Sequence, residues 1–66
     1  MITVNGQAVS LEKPITVAEY LAQNQYRIER IAVEMNGEIL PKKNYAAVTL
    51  KDGDKLEVVS FVGSVK

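Results

Sequence analysis

Sixty-six residues make one small domain in which folding hides only ~60% of the surface that the unfolded chain exposes, and a hydrophobic content of 47% is enough to build its core. Neither cysteine nor histidine occurs, which excludes a disulfide staple, a thiolate metal site, a nucleophilic thiol and the commonest general base, so self-contained catalysis is not expected. Eight basic residues balance eight acidic ones, a charge pattern that points to neither nucleic acid nor an anionic membrane.

Met1-Ile2-Thr3-Val4 is a run of β-formers, and Asn5-Gly6 supplies two residues that tolerate the positive φ angles of a type I′ turn. A hairpin is predicted, its return arm running from Gln7 to Leu11. Thr16-Val17-Ala18-Glu19 is a capping box, so a helix starts there, with Ile15 and Tyr20 placed to form a hydrophobic staple. Val17, Tyr20, Leu21 and Asn24 share one helical face, and the helix ends at Asn24 or Gln25. Tyr26 to Glu29 is an irregular connection. Ile31, Val33 and Met35 then alternate with Ala32, Glu34 and Asn36 as in a strand with one buried face.

A second turn at Asn36-Gly37 sends the chain back through Glu38-Ile39-Leu40 until Pro41 interrupts the ladder, and Lys42-Lys43-Asn44 is a solvated turn. Tyr45 to Leu50 fits a helical turn or a short edge strand equally, since Ala46-Ala47 favours one and Val48-Thr49-Leu50 the other. Lys51-Asp52-Gly53-Asp54 is a turn, and Lys55 to Val62 is the longest strand. Its nearly continuous apolar run predicts a central place in the sheet. A hairpin, a crossing helix and later strands give an α+β roll, with the helix packed across a mixed four- to five-stranded sheet and the first and last strands parallel neighbours. The domain is expected over residues 1–62, with a flexible tail over 63–66. No apolar run nears the ~20 residues that cross a bilayer, and Met1 leads into a strand pattern rather than a leader peptide, so a cytoplasmic location is expected.

Few residues suggest chemistry. Glu34 and Glu38, facing each other across a turn, form a potential carboxylate pair, but solvated glutamates on an outward sheet face need no such role. Asp52 and Asp54 resemble a fragment of a calcium loop without its other ligands, which leaves turn chemistry as the better account. Lys42-Lys43 either seats an acidic partner or, by default, is a solvated loop, and Arg27, Glu29 and Arg30 form either a surface ion-pair network or a docking patch. Tyr20, Tyr26 and Tyr45 are expected as core or half-core aromatics with a wet hydroxyl.

Asn5-Gly6 after a first strand, Thr16 to Leu21, Val33-Glu34-Met35-Asn36-Gly37-Glu38-Ile39 with Pro41 close behind, and Asp52-Gly53-Asp54 leading into Leu56 to Gly63 together resemble the thiamine-biosynthesis sulfur-carrier proteins. The likeness spans essentially the whole chain and implies the β-grasp, or ubiquitin-like, fold. It also implies a carrier rather than an enzyme. In that family an E1-like adenylyltransferase uses ATP to adenylate the C-terminal glycine carboxylate, a sulfur donor such as a cysteine desulfurase provides the sulfur of a thiocarboxylate, and thiazole synthase receives it. No cofactor is bound to the carrier itself.

The resemblance places the sulfur-carrying tail at Gly63 and Ser64, where a glycine leaves the carboxyl unobstructed and the backbone free to follow a narrow channel. Here the chain departs from the family, which ends in Gly-Gly: Ser64 stands at the second position and Val65 and Lys66 follow. An altered terminus, trimming after Gly63, a relative that kept docking and lost transfer, and a working Lys66 terminus are the alternatives, the last the least favoured on steric grounds. Partner docking is expected on Phe61, Val62 and outward residues of the long strands, Glu34, Glu57 and Ser60, with Arg30 and Lys55 as weaker candidates. A ubiquitin-like interaction module that is never modified, and a related carrier for molybdopterin, are the competing functions.

Overall fold

Two Asn-Gly pairs shape the sheet, because each places both residues at positive φ: Asn5 at 51° and Gly6 at 84°, Asn36 at 54° and Gly37 at 89°. Such turns twist in the same sense as the strands they join. The computed structural model describes residues 1–60. The first turn links β1 (Ile2–Val4) to β2 (Gln7–Val9), and the second links β3 (Ile31–Met35) to β4 (Glu38–Leu40). The last strand, β5 (Lys55–Ser60), lies between the two hairpins, giving the order β2-β1-β5-β3-β4 with β1 and β5 parallel and the other pairs antiparallel. With one helix packed against the core side, this is the β-grasp arrangement.

β2 is shorter than the predicted arm to Leu11. Its register with β1 runs out at Ile2↔Val9, and Leu11 packs instead against the core. The helix, α1 (Val17–Gln23), forms as its capping box requires: the Glu19 amide donates to Thr16 Oγ1 at 3.1 Å and the Thr16 amide to Glu19 Oε1 at 2.9 Å. Val17, Tyr20 and Leu21 are buried, but Asn24 is not on that face. It caps the helix, its side-chain amide donating to the Tyr20 carbonyl at 2.9 Å, and Gln25 follows at φ 65°. The connection that follows tightens into a 3₁₀ turn at Ile28–Arg30, and the solvated turn after Pro41 into another at Lys42–Asn44.

Tyr45 to Leu50 divides between the two forms expected of it: the Ala47 and Val48 amides donate to the Asn44 carbonyl at 3.0 and 3.1 Å and close a helical turn, and Thr49 makes an isolated antiparallel bridge with Thr16. The segment is tied to the helix entrance: the Ala18 amide donates to the Tyr45 carbonyl and the Val17 amide to the Val48 carbonyl, both at 2.9 Å, and the Leu50 amide donates to the Ile15 carbonyl at 2.8 Å. A helix leaves its first amides without internal partners, and this segment accepts from two of them. Val48-Thr49-Leu50 therefore serves α1 with hydrogen bonds and the core with Leu50, which is 1% exposed.

The core joins Ile2 and Val4, the apolar face of α1, Ile31 and Val33, Tyr45, Leu50 and Leu56. Burial pushes the hydroxyls of Tyr20 and Tyr45 above the ordinary tyrosine pKa; the neighbouring Tyr26 adds to the rise at Tyr20, while a backbone hydrogen bond with Val33 offsets part of it at Tyr45. The wet hydroxyl expected of all three does not describe Tyr45, only 2% of which is exposed. Both raised groups hold their protons more tightly when folded, so their stabilisation is complete below the unfolded value of about 10 and is lost as pH rises through the folded values. Urea titrations are expected to show a midpoint that falls on going above that pH, with phenolate absorbance rising in step with unfolding. A flat midpoint through the same range overturns this assignment.

Candidate functional site

β5 alternates its side chains between two environments, and its pairing fixes which is which. Leu56 is buried and Val58 half-buried on the helix side, whereas Lys55, Glu57 and Val59 face outward. Register with β3 sets Glu57 directly opposite Glu34 and Val59 opposite Ala32, and register with β4 sets Ile39 opposite Glu34. The bare face of the sheet thus carries two carboxylates side by side, flanked by Val59 and Ile39, which are 58% and 68% exposed. Lys55 stands opposite Thr3 on the same face.

Of the residues expected to dock a partner, Glu34 and Glu57 are brought together, and Ser60 is not with them. Ser60 pairs with buried Ile31 and so stands on the helix side of the sheet, exposed because the core ends before it. Arg30 is exposed next to Ile31, beside the end of β5. Phe61, Val62, Gly63 and Ser64, together with the expected domain boundary at Val62, lie outside the described residues. The Glu34–Glu38 pair does not form: Glu38 is opposite Met35, one residue out of phase, so its side chain points to the other face. Glu57 takes its place from a distance in sequence that no local pattern marks.

Asp54 does turn chemistry. Its carboxylate accepts from the Lys51 amide at 2.8 Å and from the Asn36 side-chain amide at 3.2 Å, leaving no ligand set around Gly53. Among the described residues no three His, Cys, Asp or Glu side chains cluster as metal ligands would. No helix among those residues is long and apolar enough to cross a membrane. An open groove of about 740 Å³ lies at the opposite end of the sheet from the exit of β5, between the start of β1 and the approach to β5, with Ile2, Leu11, Pro14, Val48 and Leu50 in its wall.

Both Asn-Gly turns do more than the folding role their sequence suggests. Asn5 Oδ1 accepts from the Val58 amide at 2.7 Å while its Nδ2 donates to the Val58 carbonyl at 3.3 Å, and Asn36 Oδ1 accepts from the Lys55 amide at 3.0 Å. One turn therefore grips β5 at its beginning and the other near its end. Nothing in the sequence signals the Asn5 contact, since its partner is 53 residues away.

The model of the ThiS family matches residues 2–63. Over 64 residues the chain is 39% identical to the sulfur carrier protein ThiS of Bacillus subtilis, covering 96% of this chain and 97% of that one. It is 40% identical over 62 residues to the thiazole synthase of Paramagnetospirillum magneticum, covering 94% of this chain but spanning only 19% of that protein. Among solved structures, the thiamine biosynthesis protein ThiS of Geobacter metallireducens superposes with a TM-score of 0.82 at 35% identity, with 94% of each chain covered.

Proposed function

This chain belongs to the ThiS family, and from that premise we propose that it is a sulfur carrier for thiazole formation in thiamine biosynthesis, loaded at the carboxyl end of its tail. The observation that carries the reading is a carrier's fold along the chain, with an outer sheet face that sets Glu34 beside Glu57 between exposed Val59 and Ile39 as a surface for a partner. Chemistry then falls to partners. An E1-like adenylyltransferase forms a mixed anhydride between the tail carboxyl and AMP, releasing pyrophosphate; the terminal sulfur of a persulfide on a donor such as a cysteine desulfurase displaces AMP to give an acyl disulfide, and a thiol reduces that disulfide, becoming the new disulfide partner and releasing the thiocarboxylate that thiazole synthase consumes. A thiazole synthase that contains a segment like this chain supports the last partnership.

Within this reading Gly63 and Ser64 are the sulfur-carrying positions, Phe61 and Val62 lead the tail into the partner, and the outer face around Glu34 and Glu57 docks. A carboxyl on glycine is open to attack from every side, whereas Val65 and Lys66 place a branched side chain and a long cation beside it. Incubation with adenylyltransferase, ATP and a sulfur donor, followed by intact mass measurement, is expected to show exchange of one oxygen for one sulfur on a chain ending at Gly63 and little on the chain ending at Lys66. No adenylate and no exchange on either chain rejects the reading.

A further inference from the structure

Resting on the carrier reading, we infer that Asn5 is a positioning residue for the tail, because its side chain supplies the rung of the sheet that holds β5 two residues before its last residue, Ser60. In a parallel pair each strand's amides and carbonyls bond evenly along the neighbour. β1 supports β5 in this way through the Thr3 amide to the Asp54 carbonyl and the Asn5 amide to the Leu56 carbonyl, both at 2.9 Å. The next rung belongs at Val58, but Asn5 sits at φ 51° and the chain turns away into β2. Its side-chain amide takes over, accepting from the Val58 amide at 2.7 Å and donating to the Val58 carbonyl at 3.3 Å, as the next peptide group of a continued β1 does.

The rung is placed where direction matters. On its other edge β5 is held by β3 as far as the pair Ile31↔Ser60, so Asn5 makes the support two-sided up to Val58, two residues before Ser60. The carboxyl to be loaded comes a few residues later, and a misplacement of the order of 1 Å at a reacting group costs up to ~100-fold in rate. The same residue thus makes a turn and aims the segment that carries the cargo.

Asn36 provides the control. It sits in an identical Asn-Gly turn at φ 54° and also grips β5, but at Lys55, the end remote from the tail. Asn5→Gly and Asn36→Gly each remove a side-chain clamp while keeping a residue that adopts positive φ at little cost. With the adenylyltransferase and ATP, on chains ending at Gly63, Asn5→Gly is expected to lower kcat for adenylation by about 10- to 100-fold with KM little changed, and Asn36→Gly to leave both within about twofold. Asn5→Asp keeps the acceptor for the Val58 amide and is expected to recover part of the rate. Amide relaxation of the free chains gives a second readout that needs no sulfur chemistry: order at Val59 and Ser60 falls in Asn5→Gly and not in Asn36→Gly.

Equal rates for Asn5→Gly and the unaltered chain, or equal losses for the two variants with unchanged order at Val59 and Ser60, overturn the inference. If the unaltered chain is not adenylated at all, the carrier reading fails, and the relaxation experiment still decides whether Asn5 holds the exit of β5.

Discussion

Leu56→Ala is expected to cost about 2–5 kcal/mol of folding stability, the range for removing a buried leucine side chain. Leu56 is 0% exposed in the central strand, opposite Val4 of β1 and Met35 of β3, so its side chain sits where both hairpins and the helix layer converge. Nothing nearby collapses easily into the space, because its neighbours are themselves fixed by the ladders on both sides. At ~0.05–0.15 kcal/mol per residue, a chain of 66 residues has roughly 3–10 kcal/mol in total. The substitution therefore consumes a large part of the whole, in a protein with no disulfide to hold the remainder together. Urea unfolding followed by circular dichroism measures it, with Val59→Ala on the exposed face as the comparison, expected within about 0.5 kcal/mol of the unaltered chain. A loss below about 1 kcal/mol for Leu56→Ala shows that the core is not organised around β5.

That central role was visible in the sequence, because a strand covered on both edges and packed on one face needs few polar residues, and Lys55 to Val62 has few. The capping box and both Asn-Gly turns were equally legible, since each depends on groups three residues apart or fewer. What escaped depends on long-range register. Glu38 is Glu34's neighbour along the hairpin, yet the pairing Met35↔Glu38 turns it away and β5 presents Glu57 instead. Ser60 differs from Glu57 by an odd number of positions, so the alternation along β5 puts it on the other face; assigning all three to one docking surface overlooked that period. Tyr45 to Leu50 fits two forms in the sequence because it contains both, a helical turn closed on Asn44 and a bridge from Thr49 to Thr16, and what no local period marks is that its other backbone bonds go to Ile15, Val17 and Ala18. Asn5 is legible in the sequence only as a turn former, and its second task exists only once β1 and β5 are parallel.

Reversing Glu34 and Glu57 together is expected to weaken binding to the adenylyltransferase at least about 100-fold, or about 2.8 kcal/mol, while leaving the fold intact. The argument rests on opposite consequences for folding and for docking. Like charges directly opposite on neighbouring strands destabilise a sheet, and the attraction of opposite charges there is worth ~0.2–1 kcal/mol. Glu34→Lys alone turns the repelling pair Glu34↔Glu57 into an attracting one, so it is expected to raise stability by an amount in that range. Under the proposed docking, the same two carboxylates attract a cationic patch on the partner that also meets Val59 and Ile39. Glu34→Lys with Glu57→Lys restores the repulsion with the opposite sign, which returns stability close to its starting value but sets two cations against that patch. Isothermal calorimetry across a salt series separates the two effects: affinity of the unaltered chain falls as salt rises, and the doubly reversed chain binds weakly at low salt and gains as screening increases. Unchanged affinity at low salt in the doubly reversed chain removes the outer face of the sheet from the docking surface.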